Sequence, residues 1–223
     1  MQVSSSPAAS PARLERGHLA DALDAAGPDA PTLCRGWTSQ DLAEHLVARE
    51  RRPDSTPGIV LRPLAGWTER VRQRYAARPY AELVELVRSG PPRTSPFALP
   101  GVDRVANLTE HFVHAEDVLR GGSDAAATQT LGAPRALDPS VDDALWGTLR
   151  ARARMLLGRA GVSLVLTTPD GREHRVGSGP MVRLVGTPGE LVLVAFGRGR
   201  AAVVERDGNS QALARFASAD LRV

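Results

Sequence analysis

The chain has 223 residues, of which 42% are hydrophobic, 24% charged and only 4% aromatic. That balance predicts one large or two modest folded domains with cores of Leu, Val and Ala, and it excludes wholesale disorder. All 28 basic residues are Arg and stand against 25 acids, so the net charge is only +3. The sequence pI near 9.9 therefore reflects the lack of Lys, since almost nothing titrates between the histidines and the tyrosines. No basic stripe is visible, and nucleic-acid binding is not expected.

Residues 1–10, rich in Ser, Ala and Pro, read as a loose tail without the apolar core of a signal peptide. The spacing of Leu14, Leu19, Ala22 and Leu23 predicts a helix over Pro11 to Ala26, stopped by Gly27-Pro28-Asp29. A second helix starts after Thr38, an N-cap with Asp41 three residues on, and runs to about Arg51 before Pro53. Pro57 to Pro63 is a loop. A third helix over Leu64 to Ala77 is interrupted at Pro79 and continues to Val87 as a bent or split element. Pro91, Pro92, Pro96 and Pro100 mark a long crossing to a fourth helix, from Val102 to Gly121-Gly122. Four helices with one long connection predict a bundle over 11–122.

A Ser/Ala/Thr/Gly-rich link follows at 123–137, and the character changes. Asp138-Pro139 opens a helix through Leu157. Short β-type runs then cover Val162–Thr168, Arg172–Val176, Met181–Val185, Leu191–Phe196 and Ala201–Glu205, with a Pro169-Asp170-Gly171 turn. Gln211 to Ala217 reads as a closing helix. Residues 138–223 are thus expected to form a small α+β domain. No stretch has the length of an apolar membrane span.

Chemistry concentrates in the fourth helix. Glu110 and His114 are four apart, so they share a helical face. A carboxylate and an imidazole there, joined by a donor from another helix, can assemble a divalent metal site. His45, on the flank of the second helix's apolar stripe, is the candidate third donor; alternatively it is a hydrogen-bonded core histidine. On the fourth helix Val105, Leu108, Phe112 and Leu119 gather on one side, and Asn107, Glu110, His111, His114 and Asp117 on the other. The second group also has a plainer reading, as the solvated face of an amphipathic helix.

At these residues the sequence resembles a known family. Trp37-Thr38-Ser39-Gln40-Asp41-Leu42-Ala43-Glu44-His45-Leu46 is similar to the Trp-Thr-x-x-Asp-Leu-x-x-His-Leu signature of the mycothiol-dependent maleylpyruvate isomerase family. Glu110-x-x-x-His114 followed by Asp117 matches its second signature. Pro31-Thr-Leu-Cys34-x-Gly36-Trp37, Arg49 to Asp54 and Val87 to Pro92 look like an uncharacterised metal-binding subgroup. Thr187 to Leu191 and Phe196-Gly-Arg198 resemble, more loosely, the family's second domain. The resemblance implies a two-domain α + α/β chain, a DinB-like four-helix metal-binding bundle followed by a sterol-carrier-like α+β domain. It also implies that His45, Glu110 and His114 hold a divalent metal, zinc first among candidates, with a mycothiol-like thiol as cosubstrate.

Two His and one Glu leave positions open on a cation, and a coordinated thiol is deprotonated. The expected function is a metal-dependent enzyme using a low-molecular-weight thiol for isomerisation, conjugation or S-transfer on a small molecule. The alternative is a non-catalytic metal-binding module whose C-terminal domain binds a small ligand or partner. A non-haem iron oxygenase shares the ligand set, although such enzymes usually mount it on a β-barrel, and a hydrolase lacks a His-Glu-x-x-His motif here. His111 is expected to face aside from the metal, and Asp117 to support a ligand or pack the helix. Cys34, as the single cysteine, excludes an internal disulfide, fits a reducing cytoplasmic compartment, and is expected to be a small buried hydrophobe. Trp37 is expected to anchor the second helix, His18 to pack and His174 to be exposed.

Overall fold

A computed structural model describes residues 9–52, 65–99, 107–121 and 134–221. The Pro57–Pro63 loop, the start of the fourth helix at Val102, Val105 and most of the 123–137 link lie outside the described residues. The chain divides into two compact units, Met1–Leu119 and Arg120–Val223. Among the described residues it is a mixed α/β protein.

In the first unit, α1 spans Pro11–Ala26 with Ser10 at its N-cap and Gly27 ending it. Helix α2 (Ser39–Arg51) carries a reciprocal cap: the Thr38 N–H donates to Asp41 Oδ2 at 2.9 Å, and the Asp41 N–H to Thr38 Oγ1 at 3.3 Å. The bent-or-split element is split, into α3 (Ala65–Ala76) and α4 (Tyr80–Ser89), with Pro79 at the N-cap of α4. Proline there removes a backbone donor the first turn does not use, and it blocks continuation from α3. Helix α5 is Leu108–Gly121. Leu19 and Leu23, Leu42 and Leu46, Leu83 and Val87, and Ala115 share one core, so α1, α2, α4 and α5 pack around a common centre.

This unit buries charge as well as hydrocarbon. Arg16 donates to Glu50 Oε2 at 2.8 Å and to the Val87 carbonyl at 3.4 Å. The other Glu50 oxygen faces His111 Nε2 at 3.1 Å, and His111 Nδ1 faces the Ala12 carbonyl at 3.2 Å. Gly90, at φ +79°, makes room for this group, because a Cβ there would lie 2.7 Å from the Arg16 guanidinium. Burial works against a charge on Glu50, but the His111 hydrogen bond and the Arg16 cation hold its carboxyl below the usual range.

The second unit opens with α6 (Pro139–Leu157), capped by the Asp138 side chain. Strands β1 (Ser163–Thr167), β2 (Glu173–Val176), β3 (Met181–Val185) and β4 (Glu205–Gly208) form one sheet in the order β2-β1-β3-β4. The pairs β1–β2 and β3–β4 are antiparallel, while β1–β3 is parallel. Leu164, Leu166, Val176, Val182 and Leu184 share one face by register and are all buried. The opposite face carries Arg175, Arg183 and Asp207.

Two sequence expectations are corrected here. Leu191–Phe196 is not a strand: Pro188–Ala195 is a helix, α7, buried along its whole length. A short run of Leu and Val has no polar residue to reveal its period, so a fully buried helix and a fully buried strand look alike. The start signal was nevertheless present, with Thr187 at the N-cap position and Pro188 in the first turn. The last strand lies at Glu205–Gly208 rather than Ala201–Glu205. It is a polar edge strand, formed because β3 offers it a ladder and not because its side chains favour extension. Helix α8 (Ser210–Ala217) closes the chain as expected, with Asn209 capping it.

Candidate metal centre

The site forms where α2 meets α5. His45 lies in the second turn of α2, and Glu110 and His114 lie one turn apart on α5. His45 Nε2 is 3.6 Å from Glu110 Oε1, and His114 Nε2 is 3.3 Å from the same oxygen. One donor atom from each of the three residues falls within 4.8 Å of the others. The sequence therefore nominated three side chains that the fold brings together. Their side chains are 26%, 23% and 12% exposed, so the cluster is sheltered but reachable.

His114 is held on its far side as well. Its Nδ1 lies 2.9 Å from Asp117 Oδ2, and Asp117 is completely buried. In the neutral ring a hydrogen on Nδ1, donated to Asp117, leaves the Nε2 lone pair aimed at Glu110 and His45. That carboxylate–imidazole arrangement is how metal-binding histidines are commonly oriented. Two imidazoles, a carboxylate and an outer carboxylate on one ring form a donor set that suits a divalent cation of the zinc class.

Electrostatics concentrates charge at the same place. Burial opposes ionisation of Glu110, yet hydrogen bonds from His114 and His45, with the Arg49 charge nearby, hold its carboxyl well below the usual range. Burial also works against a charged His114, but Asp117, Cys34 and Glu110 raise its pKa well above that of an ordinary histidine. The His114 ring thus lies between two carboxylates, Glu110 on its Nε2 side and Asp117 on its Nδ1 side.

Several neighbours depart from expectation. The polar side of α5 is not a solvated face. Asn107, His111 and Asp117 are buried, while Leu119, on the nominally apolar side, is 55% exposed. Periodicity separates polar from apolar but not wet from dry; here His111 packs against Ala12 and Glu50, and Asp117 against Leu33 and Cys34. His111 does face away from the cluster, into the Glu50 group. Cys34 is half-buried and polar in its contacts rather than a buried hydrophobe, with Sγ 3.2 Å from Asp117 Oδ2. Trp37 is 38% exposed, and its ring lies against His45 with centroids 5.3 Å apart. His18 is exposed on α1 instead of packing, and His174 is half-buried in β2.

Sequence reasoning also missed Arg49. Its Nε is 3.5 Å from Glu110 Oε1, and its guanidinium lies over the Phe97 ring at 4.3 Å. The signal was available, because Arg49 follows His45 by four residues and so shares its face of α2. Nothing in the sequence could have joined Cys34 to Asp117. That contact depends on the Leu33 N–H reaching the Asp117 carbonyl at 3.0 Å, across the fold.

No protein-family model matches the chain, and no curated protein matches it. Among solved structures, the crystal structure of the mycothiol-dependent maleylpyruvate isomerase aligns over 89% of this chain and 91% of that one, at 16% identity and a TM-score of 0.50. The crystal structure of a His-to-Ala mutant of a mycothiol-dependent maleylpyruvate isomerase aligns over the same shares at 16% identity, with a TM-score of 0.42. Among the described residues, no helix is long and apolar enough to cross a membrane. The mixed α/β fold of this chain is thus similar to that of the mycothiol-dependent maleylpyruvate isomerase.

Proposed function

We propose that this chain is a metal-dependent enzyme that uses a low-molecular-weight thiol of the mycothiol type to isomerise, conjugate or transfer sulfur to a small molecule. The observation that carries the reading is the convergence of His45 Nε2 and His114 Nε2 on Glu110 Oε1, with His114 fixed from behind by Asp117. The fold likeness to an isomerase that depends on mycothiol supports the thiol part. In this reading residues 11–122 are a DinB-like four-helix bundle, 123–137 a link and 138–223 a sterol-carrier-like domain, in a cytoplasmic protein.

His45, Glu110 and His114 would hold the cation, with zinc the best match to two imidazoles and a carboxylate. A bound divalent metal would supply Lewis acidity and favour the thiolate form of a coordinated thiol. The chain's own groups do the rest. Asp117 keeps the His114 ring turned and its Nδ1 hydrogen-bonded. Arg49 offsets part of the Glu110 charge. The Trp37 ring against His45 covers one side of the cluster and limits water there.

Elemental analysis of the purified protein beside a His45→Ala/His114→Ala variant tests the ligand set. We expect about one equivalent of metal in the wild type and little in the variant. Equal metal content in both overturns it. Thiol-dependent turnover of electrophilic small molecules, lost in His45→Ala, tests the enzymatic part. Metal binding with no thiol-dependent turnover of any such compound argues against it.

A further inference from the structure

His114 has a second side, and two more donors meet there. Its Nδ1 is 2.9 Å from Asp117 Oδ2, and Cys34 Sγ is 3.2 Å from the same oxygen. One donor atom each from Cys34, His114 and Asp117 lies within 4.8 Å of the others, as in the first cluster. Backbone holds this arrangement. The Leu33 N–H donates to the Asp117 carbonyl at 3.0 Å, and the Cys34 N–H donates to Thr32 Oγ1 at 3.2 Å. Asp117 is fully buried, so a charge there gains more from a nearby cation than a surface carboxylate would.

We propose that Cys34, Asp117 and the Nδ1 side of His114 form a second cation site, for a soft divalent cation of the zinc or cadmium class, which excludes occupancy of the first. A neutral imidazole has one lone pair. With its hydrogen on Nδ1, donated to Asp117, the lone pair serves His45 and Glu110. With its hydrogen on Nε2, donated to Glu110 at 3.3 Å, the lone pair serves Cys34 and Asp117. Each tautomer has a carboxylate waiting for its hydrogen, and each opens one site while closing the other.

The donor sets differ in softness. The first offers two nitrogens and one carboxylate; the second offers sulfur, nitrogen and carboxylate, and carries one more negative charge once the thiol is deprotonated. Thiolate selects thiophilic cations, and carboxylate with imidazole tolerates harder ones. On binding, the Cys34 S–H bond breaks, its proton leaves to solvent and a sulfur–metal bond forms with no change of oxidation state. The thiolate site stands on Cys34 and Asp117; mutual exclusion additionally rests on the ligand set put forward under Proposed function.

The test uses the full chain stripped of metal and titrated with cadmium ion alone. Cys34 is the single cysteine, so thiolate-to-cadmium charge-transfer absorption and iodoacetamide alkylation both report one atom. We expect the band to saturate at one equivalent and alkylation to slow by about tenfold or more. Cys34→Ser should lose the band yet still bind manganese ion, and His45→Ala should keep the band. Absence of the band in the wild type, its survival in Cys34→Ser, or its loss in His45→Ala overturns the site. Simultaneous binding of one cadmium and one manganese overturns exclusion. If instead His45→Ala binds manganese ion as tightly as the wild type while the cadmium band behaves as expected, the ligand set of the first site fails and the thiolate site stands.

Discussion

Glu50 is the most exposing point at which to test the packing of the first unit. It is 3% exposed, and its two oxygens serve Arg16, itself 7% exposed, and His111. Glu50→Ala removes the buried counter-charge of Arg16 and the acceptor of His111 together. Breaking a buried pair in this way costs about 3–5 kcal/mol, because the surviving charge keeps its desolvation penalty. Urea unfolding followed by far-ultraviolet circular dichroism should lower the midpoint of the first unit's transition accordingly, with the slope unchanged. Arg16→Met combined with Glu50→Leu should cost less than the two single changes summed, because no lone charge is left behind. The folded pKa of Glu50 lies below its free value of 4.5. Its contribution is therefore complete above the unfolded pKa and fades as pH falls through the folded one. The gap between wild type and Glu50→Ala should narrow in that acid window. A cost under about 1 kcal/mol, the worth of an exposed pair, would refute the reasoning.

Asp117→Asn should weaken manganese binding at the His45–Glu110–His114 cluster by about 10–100-fold, measured by competition with a chromophoric chelator, while His45→Ala abolishes manganese binding there; unchanged affinity would remove Asp117 from the support of that cluster. Gly90→Ala should destabilise by at least about 1–3 kcal/mol in the same urea assay, since its φ of +79° disfavours a side chain and its Cβ would press on Arg16; Arg16→Ala should recover part of the steric share. The Tyr80 hydroxyl donates to the Leu23 carbonyl at 2.7 Å, and burial, ahead of its neighbours, pushes its pKa up to about 12. Its stabilising effect is then present below the unfolded value of 10.0 and lost as pH rises toward about 12. Tyr80→Phe should cost about 1 kcal/mol and remove the later of the two phenolate steps from an absorbance titration.

Local signals carried much of the first unit. The Thr38/Asp41 cap and the Gly27 stop were legible because each acts within one turn of its own helix. The Glu110–His114 spacing was legible for the same reason. Helix α7 and strand β4 were misjudged because burial and pairing, supplied by distant chain, decided between conformations that their own residues leave nearly balanced.

The amino-acid order by itself determined which side chains shared a helical face, since that follows from a fixed rise and turn per residue. Only the tertiary structure decided that His111 and Asp117 on the polar side of α5 are buried, that Cys34 reaches Asp117 across 83 positions of sequence, and that His45 faces Glu110. Those outcomes depend on how helices stack, and stacking is set by the whole core rather than by any segment of it.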